Sequence, residues 1–189
     1  HKVVQNVLHA WIHDAEQGSR QSCWMENPLG NLQHRPFMHQ LPVMLGMRRT
    51  RVDYCAYCTK FMKPTQVWHT AKWTPKGDTG DGRCHSRCKF STKSASRRCR
   101  HMQAIGRESQ RKPRGPEAKK MVNAVPKQLG QEWLQAVCDT SAGGNTIIDL
   151  CSGYQSLKEV AMAAGFNYIA VDIDGDRNLK ARSKRKTSR

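Results

Sequence analysis

Apolar residues recur at Val4, Val7, Leu8, Trp11, Ile12 and Ala15. This spacing predicts an amphipathic helix over residues 3–15 with one face toward a core. The next apolar group, Ser22-Cys-Trp-Met-Glu-Asn-Pro-Leu-Gly30, is short and runs into a Pro/Gly turn, so it predicts a strand. Two further strand-like pieces, Val52–Tyr57 and Gln66–His69, flank a Lys-Pro turn. Residues 117–137 read as helical around a break. Pro126 suits a first helical turn, and Leu129, Trp133, Leu134 and Val137 form an apolar stripe. Near the C-terminus, Thr146-Ile-Ile-Asp-Leu150 predicts a strand, followed by a turn centred on Gly153. A helix over 156–164 and a second strand ending at Asp172 complete a βαβ pattern.

Between these segments the pattern fails. Residues 72–120 are rich in Gly, Lys, Arg and Ser and nearly lack aliphatics, so burial alone cannot order them. The tail from Arg177 to Arg189 is a basic run, solvated by default and a nucleic-acid-contacting extension in its functional version. At 189 residues and 38% hydrophobic content, the chain suits one α/β domain with an inserted module and a modest core. Its 32 Lys+Arg against 15 Asp+Glu give a formal charge of +17. Such a field favours nucleic acid, DNA or RNA, with an anionic membrane surface as the lesser alternative. No apolar run approaches the roughly 20 residues that span a bilayer, and of the two partners nucleic acid, not a membrane, is the one expected. The first residue is His1, which suits a processed product or a piece of something longer.

Candidate chemistry sits at three places. Gly153, between strand and helix, lets the backbone approach a ligand at the helix N-terminus, and Asp172, at the tip of the next strand, can accept from ribose hydroxyls. Glu26 and Asn27 fall at the end of a strand, where α/β folds place their chemistry, although a carboxylate before Asn-Pro is equally a turn-capping group. The third place is the cysteines. Of eight, Cys138 and Cys151 lie in predicted core segments. Cys55-x2-Cys58 and Cys84-x3-Cys88 form two close pairs of soft ligands, with Cys99 and His101 as spares. Tetrahedral zinc uses such pairing; the alternative is that Cys55 and Cys58 are core residues of a strand and the others bystanders. Basic residues interleaved with aromatics around Arg49, Arg51 and Lys63, together with Arg83, Arg87, Arg97 and Arg98, are candidate nucleic-acid contacts.

Together these segments resemble the carbon-5 cytosine DNA methyltransferase family, phage and viral members included, in circularly permuted order. Asp149-Leu-Cys-Ser-Gly-Tyr-Gln-Ser156 is similar to the loop that holds the methionine side of S-adenosylmethionine, and Asp172 to the ribose-binding acid. Val122-Asn-Ala-Val-Pro126 is similar to the motif that closes over the cofactor, with Asn123 and Val125 at the matching positions. Trp24-Met-Glu-Asn-Pro28 resembles the motif whose Glu holds the target cytosine, a role the resemblance assigns to Glu26. Residues 70–115 would stand where the family has its DNA-recognition region.

The chain departs from that pattern in three ways. Gln155 stands where a second Gly is common, the Arg motif is matched loosely by Arg49 and Arg51, and no Pro-Cys dipeptide occurs. The family's reaction needs that Cys as a thiolate attacking carbon 6 of a flipped base.

The resemblance implies an α/β, Rossmann-like, S-adenosylmethionine-dependent methyltransferase fold, circularly permuted, with a small Cys-rich basic insertion. Its expected divisions are 1–70 with Glu-Asn-Pro, 71–115 as the insertion, 116–176 with the cofactor motifs, and the 177–189 tail. Two functions compete: a methyltransferase-like nucleic-acid-binding protein that is not catalytic as an isolated chain, or an inactive structural subunit of a ribonucleoprotein such as an organellar ribosome. Other subunits of a larger assembly are then expected partners, in a mitochondrial or nuclear setting.

Overall fold

A computed structural model describes residues 2–18, 21–92, 100–101, 103–104, 123–139, 144–150 and 155–171. Its described residues form a mixed α/β protein. Helix α1 (Lys2–Glu16) is followed by β1 (Trp24–Pro28), α2 (Pro36–Leu45), β2 (Arg48–Asp53), β3 (Phe61–Met62) and β4 (Pro64–His69). Short strands β5 (Ser91–Thr92), β6 (Arg100–His101) and β7 (Gln103–Ala104) follow, then α3 (Lys127–Cys138), β8 (Thr146–Leu150), α4 (Lys158–Ala163) and β9 (Asn167–Val171).

The central element is a three-stranded antiparallel sheet ordered β1-β4-β2, with Glu26 opposite Val67 and Thr50 opposite Val67 from the other side. Successive side chains of β4 point to opposite faces, so Val67 and Trp68 enter different cores. On one face Trp68, Leu8, Met38, Leu41 and Met47 pack beneath α1 and α2. On the other, Val52 and Val67 meet Leu129, Trp133, Leu134 and Val160 from α3 and α4. Burying a side chain such as Leu129, 0% exposed, contributes about 1.5–3 kcal/mol.

The C-terminal expectation is met closely. Strand β8 ends at Leu150, α4 follows, and β9 pairs with β8 in parallel register, Asp149 opposite Ala170. Helix α4 lies against α3, where Gly130 brings the two close: a Cβ there would stand 2.8 Å from Leu157 Cδ2, so that side chain would have to shift. Among the described residues β8 and β9 form a sheet of their own, separate from β1-β4-β2.

Other elements differ from expectation. The strand read over Val52–Tyr57 ends at Asp53, and Tyr54–Tyr57 turn into a 3-10 helix that buries all four side chains. Helix α2 was not expected, although Phe37, Met38, Leu41, Met44 and Leu45 recur at helical spacing around Pro42; Pro36 in its first turn and Gly46 in the left-handed cap define its ends. Cys138 is exposed, because Leu134 and Val137 take the inward positions of the last turn of α3. Residues 151–154 and 172–189, with Cys151, Gly153, Asp172 and the basic tail, lie outside the described residues. No helix of the described residues is long and apolar enough to cross a membrane.

His69 is the one fully buried imidazole of the central sheet, 0% exposed. Its Nδ1 lies 3.0 Å from the Ala71 carbonyl and its Nε2 3.1 Å from Thr50 Oγ1. The neutral tautomer satisfies both: Nδ1–H donates to the carbonyl and Nε2 accepts from the hydroxyl. Burial lowers the pKa of His69 below its ordinary value, the Ala71 carbonyl partly opposes this, and Arg48 lowers it further. The unfolded chain therefore binds this proton more readily than the folded one. Stability from His69 is complete above about pH 6.5 and is lost as pH falls through the lowered folded value. The urea midpoint is expected to drop between pH 7.5 and pH 5, and the drop to shrink in His69→Gln. An equal drop in both proteins would refute this assignment.

Candidate functional site

Two sites emerge. The first is a cavity of about 280 Å³ where α1, β1 and the βαβ unit meet. Strand β1 contributes Trp24, Met25 and Glu26, the segment before α3 contributes Asn123 and Val125, and the end of β8 with the following turn contributes Asp149, Leu150, Ser156 and Leu157. Helix α1 adds Val4, Val7 and Trp11. Three sequence segments singled out separately therefore share one wall-to-wall space. Its size lies near the lower end for a small-molecule site. A cavity of about 400 Å³ between α1 and α2, over Leu8, Phe37 and Leu41, is larger but carries none of the motif residues.

Hydrogen bonds fix this convergence. The Val125 N–H donates to Ser156 Oγ at 3.1 Å, tying the segment before α3 to the turn after β8 across 31 residues. Tyr168 on β9 donates to the Asp149 carboxylate, and burial, followed by that carboxylate, pushes the phenol pKa up. Gln155 adopts φ 49°, in the left-handed region that favours glycine.

Glu26 is held differently from expectation. Lys63 reaches across from the start of β4 and donates to Glu26 Oε1 at 3.1 Å, with side-chain exposures of 6% and 19%. The same ammonium lies 4.5 Å from the centre of the Tyr54 ring. Lys63 is thus a buried partner of Glu26 rather than a phosphate contact, because leaving either charge unpaired at that depth is costly. Asn27 does not line the cavity; its amide donates to the Pro28 carbonyl at 2.7 Å, a local turn contact. Sequence reasoning missed Trp11 and Lys63. Trp11 looked like ordinary helix core, and a Lys before Pro gives no sign of the strand pairing that carries it to Glu26.

The second site is the cysteine cluster. Cys55, Cys84 and Cys88 are buried, and their sulfurs all lie within 4.8 Å of one another. Cys84 and Cys88 Sγ stand 3.6 Å apart, too far for a disulfide. Tetrahedral Zn–S bonds of about 2.3 Å separate sulfurs by about 3.8 Å, so the spacing fits a shared ion. Met62 and Phe90 pack around the three thiols. Burial, then the neighbouring Cys84 and Cys88, push the Cys55 thiol far up when no ion is present. These residues can hold a metal such as zinc.

Cys58 does not join them. It is exposed at φ 61°, and its sulfur contacts Lys89 Nζ at 3.2 Å, Gln128 Oε1 at 3.3 Å and the Asp78 carboxylate. The 3-10 turn explains this: Cys55 faces the core while Cys58, one turn later in the left-handed region, faces outward. Of the spares, Cys99 and the His101 side chain lie outside the described residues. The backbone of His101 pairs with Ser91, three residues beyond Cys88, so the chain returns to the knuckle there.

The segment leading into the Cys84–Cys88 knuckle is anchored at both of its ends, at residues 76–77 and 82–84. Cys84 N–H donates to the buried Asp53 carboxylate at 3.0 Å, and Asp53 N–H donates to Gly82 O at 2.8 Å. Glu132 on α3 accepts from the Lys76 and Gly77 N–H groups at 3.1 and 2.8 Å. Gly77 must be glycine: φ is 52° and a Cβ would sit 2.4 Å from the Ala56 carbonyl oxygen.

Compared with family models, curated proteins and solved structures, this chain matches none. The function must be read from the site.

Of the remaining candidate nucleic-acid residues, Arg49, Arg83 and Arg87 are exposed, whereas Arg51 is half-buried and pairs with Asp53 at 3.3 Å. Arg97 and Arg98 lie outside the described residues.

Proposed function

We propose that this chain is a cytosine-methyltransferase-like, nucleic-acid-binding protein with a Rossmann-like, circularly permuted cofactor half. In this reading it binds S-adenosylmethionine in the cavity between Glu26 and Asp149, and it does not methylate as an isolated chain. One observation carries the proposal: Glu26, the Asn123–Val125 segment, and Asp149 with Ser156 line a single cavity although they come from three distant stretches of sequence. Two carboxylates and two indoles, with Asn123 and Ser156 in a wall that is apolar elsewhere, suit a cationic nucleoside, since carboxylates accept from hydroxyls and amines and aromatic faces attract cations. Asp172, next along the chain from β9, would take the ribose. The charge of +17 supports a polyanionic partner. The absence of a Pro-Cys dipeptide supports the non-catalytic part of the reading.

Zinc is proposed as the ion at Cys55, Cys84 and Cys88, with a fourth ligand from Cys99 or His101. Its role would be structural, ordering a segment that has too few aliphatics to order itself.

A second reading has its own observation. Lys63 already occupies one oxygen of Glu26, which favours an inactive scaffold, such as a subunit of a ribonucleoprotein, over a base-holding site. Calorimetric titration with S-adenosylmethionine separates the two. Saturable binding, lost in Asp172→Ala, is the expected result. No heat of binding, with nucleic-acid affinity intact, would overturn the cofactor reading and leave the scaffold.

A further inference from the structure

From Arg83 to Lys89 the chain alternates between inside and outside. Cys84 and Cys88 are buried at 2% and 4% exposure, whereas Arg83, His85, Arg87 and Lys89 are exposed. The alternation comes from a tight turn: Arg87 N–H donates to Cys84 O at 2.7 Å, and His85 and Ser86 both adopt positive φ, 43° and 60°. Two successive non-glycine residues in that region are held only where their surroundings over-determine them. Here the surroundings are the thiol cluster on one side and Asp81 on the other. Asp81 accepts from Arg83 N–H at 3.0 Å and from His85 Nε2 at 2.7 Å. Lys89 leans onto Cys58. The two acids near the turn, Asp78 and Asp81, are thus engaged by Cys58 and by His85, and among the described residues Arg83 and Arg87 form no ion pair.

We propose that the Cys84–Cys88 knuckle is a phosphate-gripping element whose grip depends on the metal held by Cys55, Cys84 and Cys88. The inference rests on the nucleic-acid-binding reading and names the contact. The ion fixes two sulfurs beneath the turn, and the same turn then presents the two guanidiniums outward at a set separation. Guanidinium forks match phosphate oxygens, and a preset pair loses less side-chain freedom on binding than two independent arginines. Without the ion, the buried thiols no longer pin the turn, and Arg83 and Arg87 scatter. The ligand chemistry is a nucleic-acid backbone, which a DNA duplex and an RNA hairpin share.

The test uses the full chain, zinc-loaded, in fluorescence anisotropy titrations of a short duplex DNA and an RNA hairpin across a range of salt. The slope of log affinity against log salt counts phosphates neutralised. Arg83→Gln/Arg87→Gln is expected to flatten that slope by about two, roughly one per residue, while the control pair Arg35→Gln/Lys158→Gln leaves it in place. Chelating the metal from the wild type is expected to flatten the slope by the same amount, and chelation is expected to have no further effect on the double Arg variant. If the variant keeps the wild-type slope, or if chelation and substitution act additively, the inference is overturned while the nucleic-acid reading stands. If the wild type binds neither nucleic acid, or binds only phosphatidylserine vesicles, both fall. Far-UV circular dichroism of the chelated protein guards against global unfolding; if it unfolds, the substituted, metal-loaded protein alone decides the phosphate contact. In that case Cys84→Ser, which removes one of the three thiol ligands, replaces chelation. An unchanged slope in folded, metal-free Cys84→Ser would overturn the coupling.

Discussion

Replacing Cys84 by Ser is expected to abolish the zinc binding proposed at Cys55, Cys84 and Cys88 and to release the knuckle while the rest of the fold persists. Cys84 sits between the other two thiols and Asp53, so its loss removes a ligand and disturbs the 3.0 Å anchor from its N–H. Structural zinc contributes about 10–16 kcal/mol in isolated finger peptides. The cost here should be smaller, several kcal/mol, because Asp53 and Glu132 hold residues 76–84 independently of the ion. Elemental analysis should fall from one zinc per chain to less than a tenth. Hydrogen exchange should quicken over residues 77–92 and stay slow in β8, α4 and β9. Cys58→Ser makes the sharper comparison. With its sulfur turned to Lys89 and Gln128, it should keep the full zinc content. Metal-free wild-type protein, or zinc lost equally from Cys58→Ser, would refute this arrangement.

Trp133→Ala is expected to be the most damaging single change in the core. Trp133 is 6% exposed and stacks on Trp24 with ring centres 4.9 Å apart and planes 21° from parallel. Through Trp24 it forms the joint between the central sheet and α3, and Trp24 is also a wall of the cavity. Truncating a buried Trp costs about 3–5 kcal/mol, and the two aromatic faces lose their offset-stacked contact as well. Equilibrium urea unfolding should show the loss as a lower midpoint. Trp133→Phe should recover much of it, because a ring would again lie on Trp24. A cost below about 1 kcal/mol for Trp133→Ala would mean that α3 is not what secures the sheet.

The sequence alone determined whatever depends on local period. The α1 stripe and the α3 stripe after Pro126 were legible because each repeats apolar residues at the helical interval, and β8 and β9 because each is a short apolar run next to a glycine turn. The motif residues were legible as separate marks, Glu26 on one strand, Asn123 and Val125 before one helix, Asp149 at the end of another strand. Their meeting in one cavity was not, since it depends on β1 lying against α3 and on the Val125–Ser156 hydrogen bond, contacts between segments far apart in sequence.

The cysteines show the same division. Spacing marked two close pairs, but which thiols face one another is set by backbone direction. The 3-10 turn sends Cys55 inward and Cys58 outward, so three of the four converge. Lys63 is the clearest case. Its neighbours in sequence read as a basic, exposed turn, yet strand pairing carries it beside Glu26, and a buried ammonium requires a carboxylate partner. Period is a property of neighbours along the chain and can be read from them. Pairing of charges, thiols and rings across the fold is decided only when burial forces each polar group to find its partner.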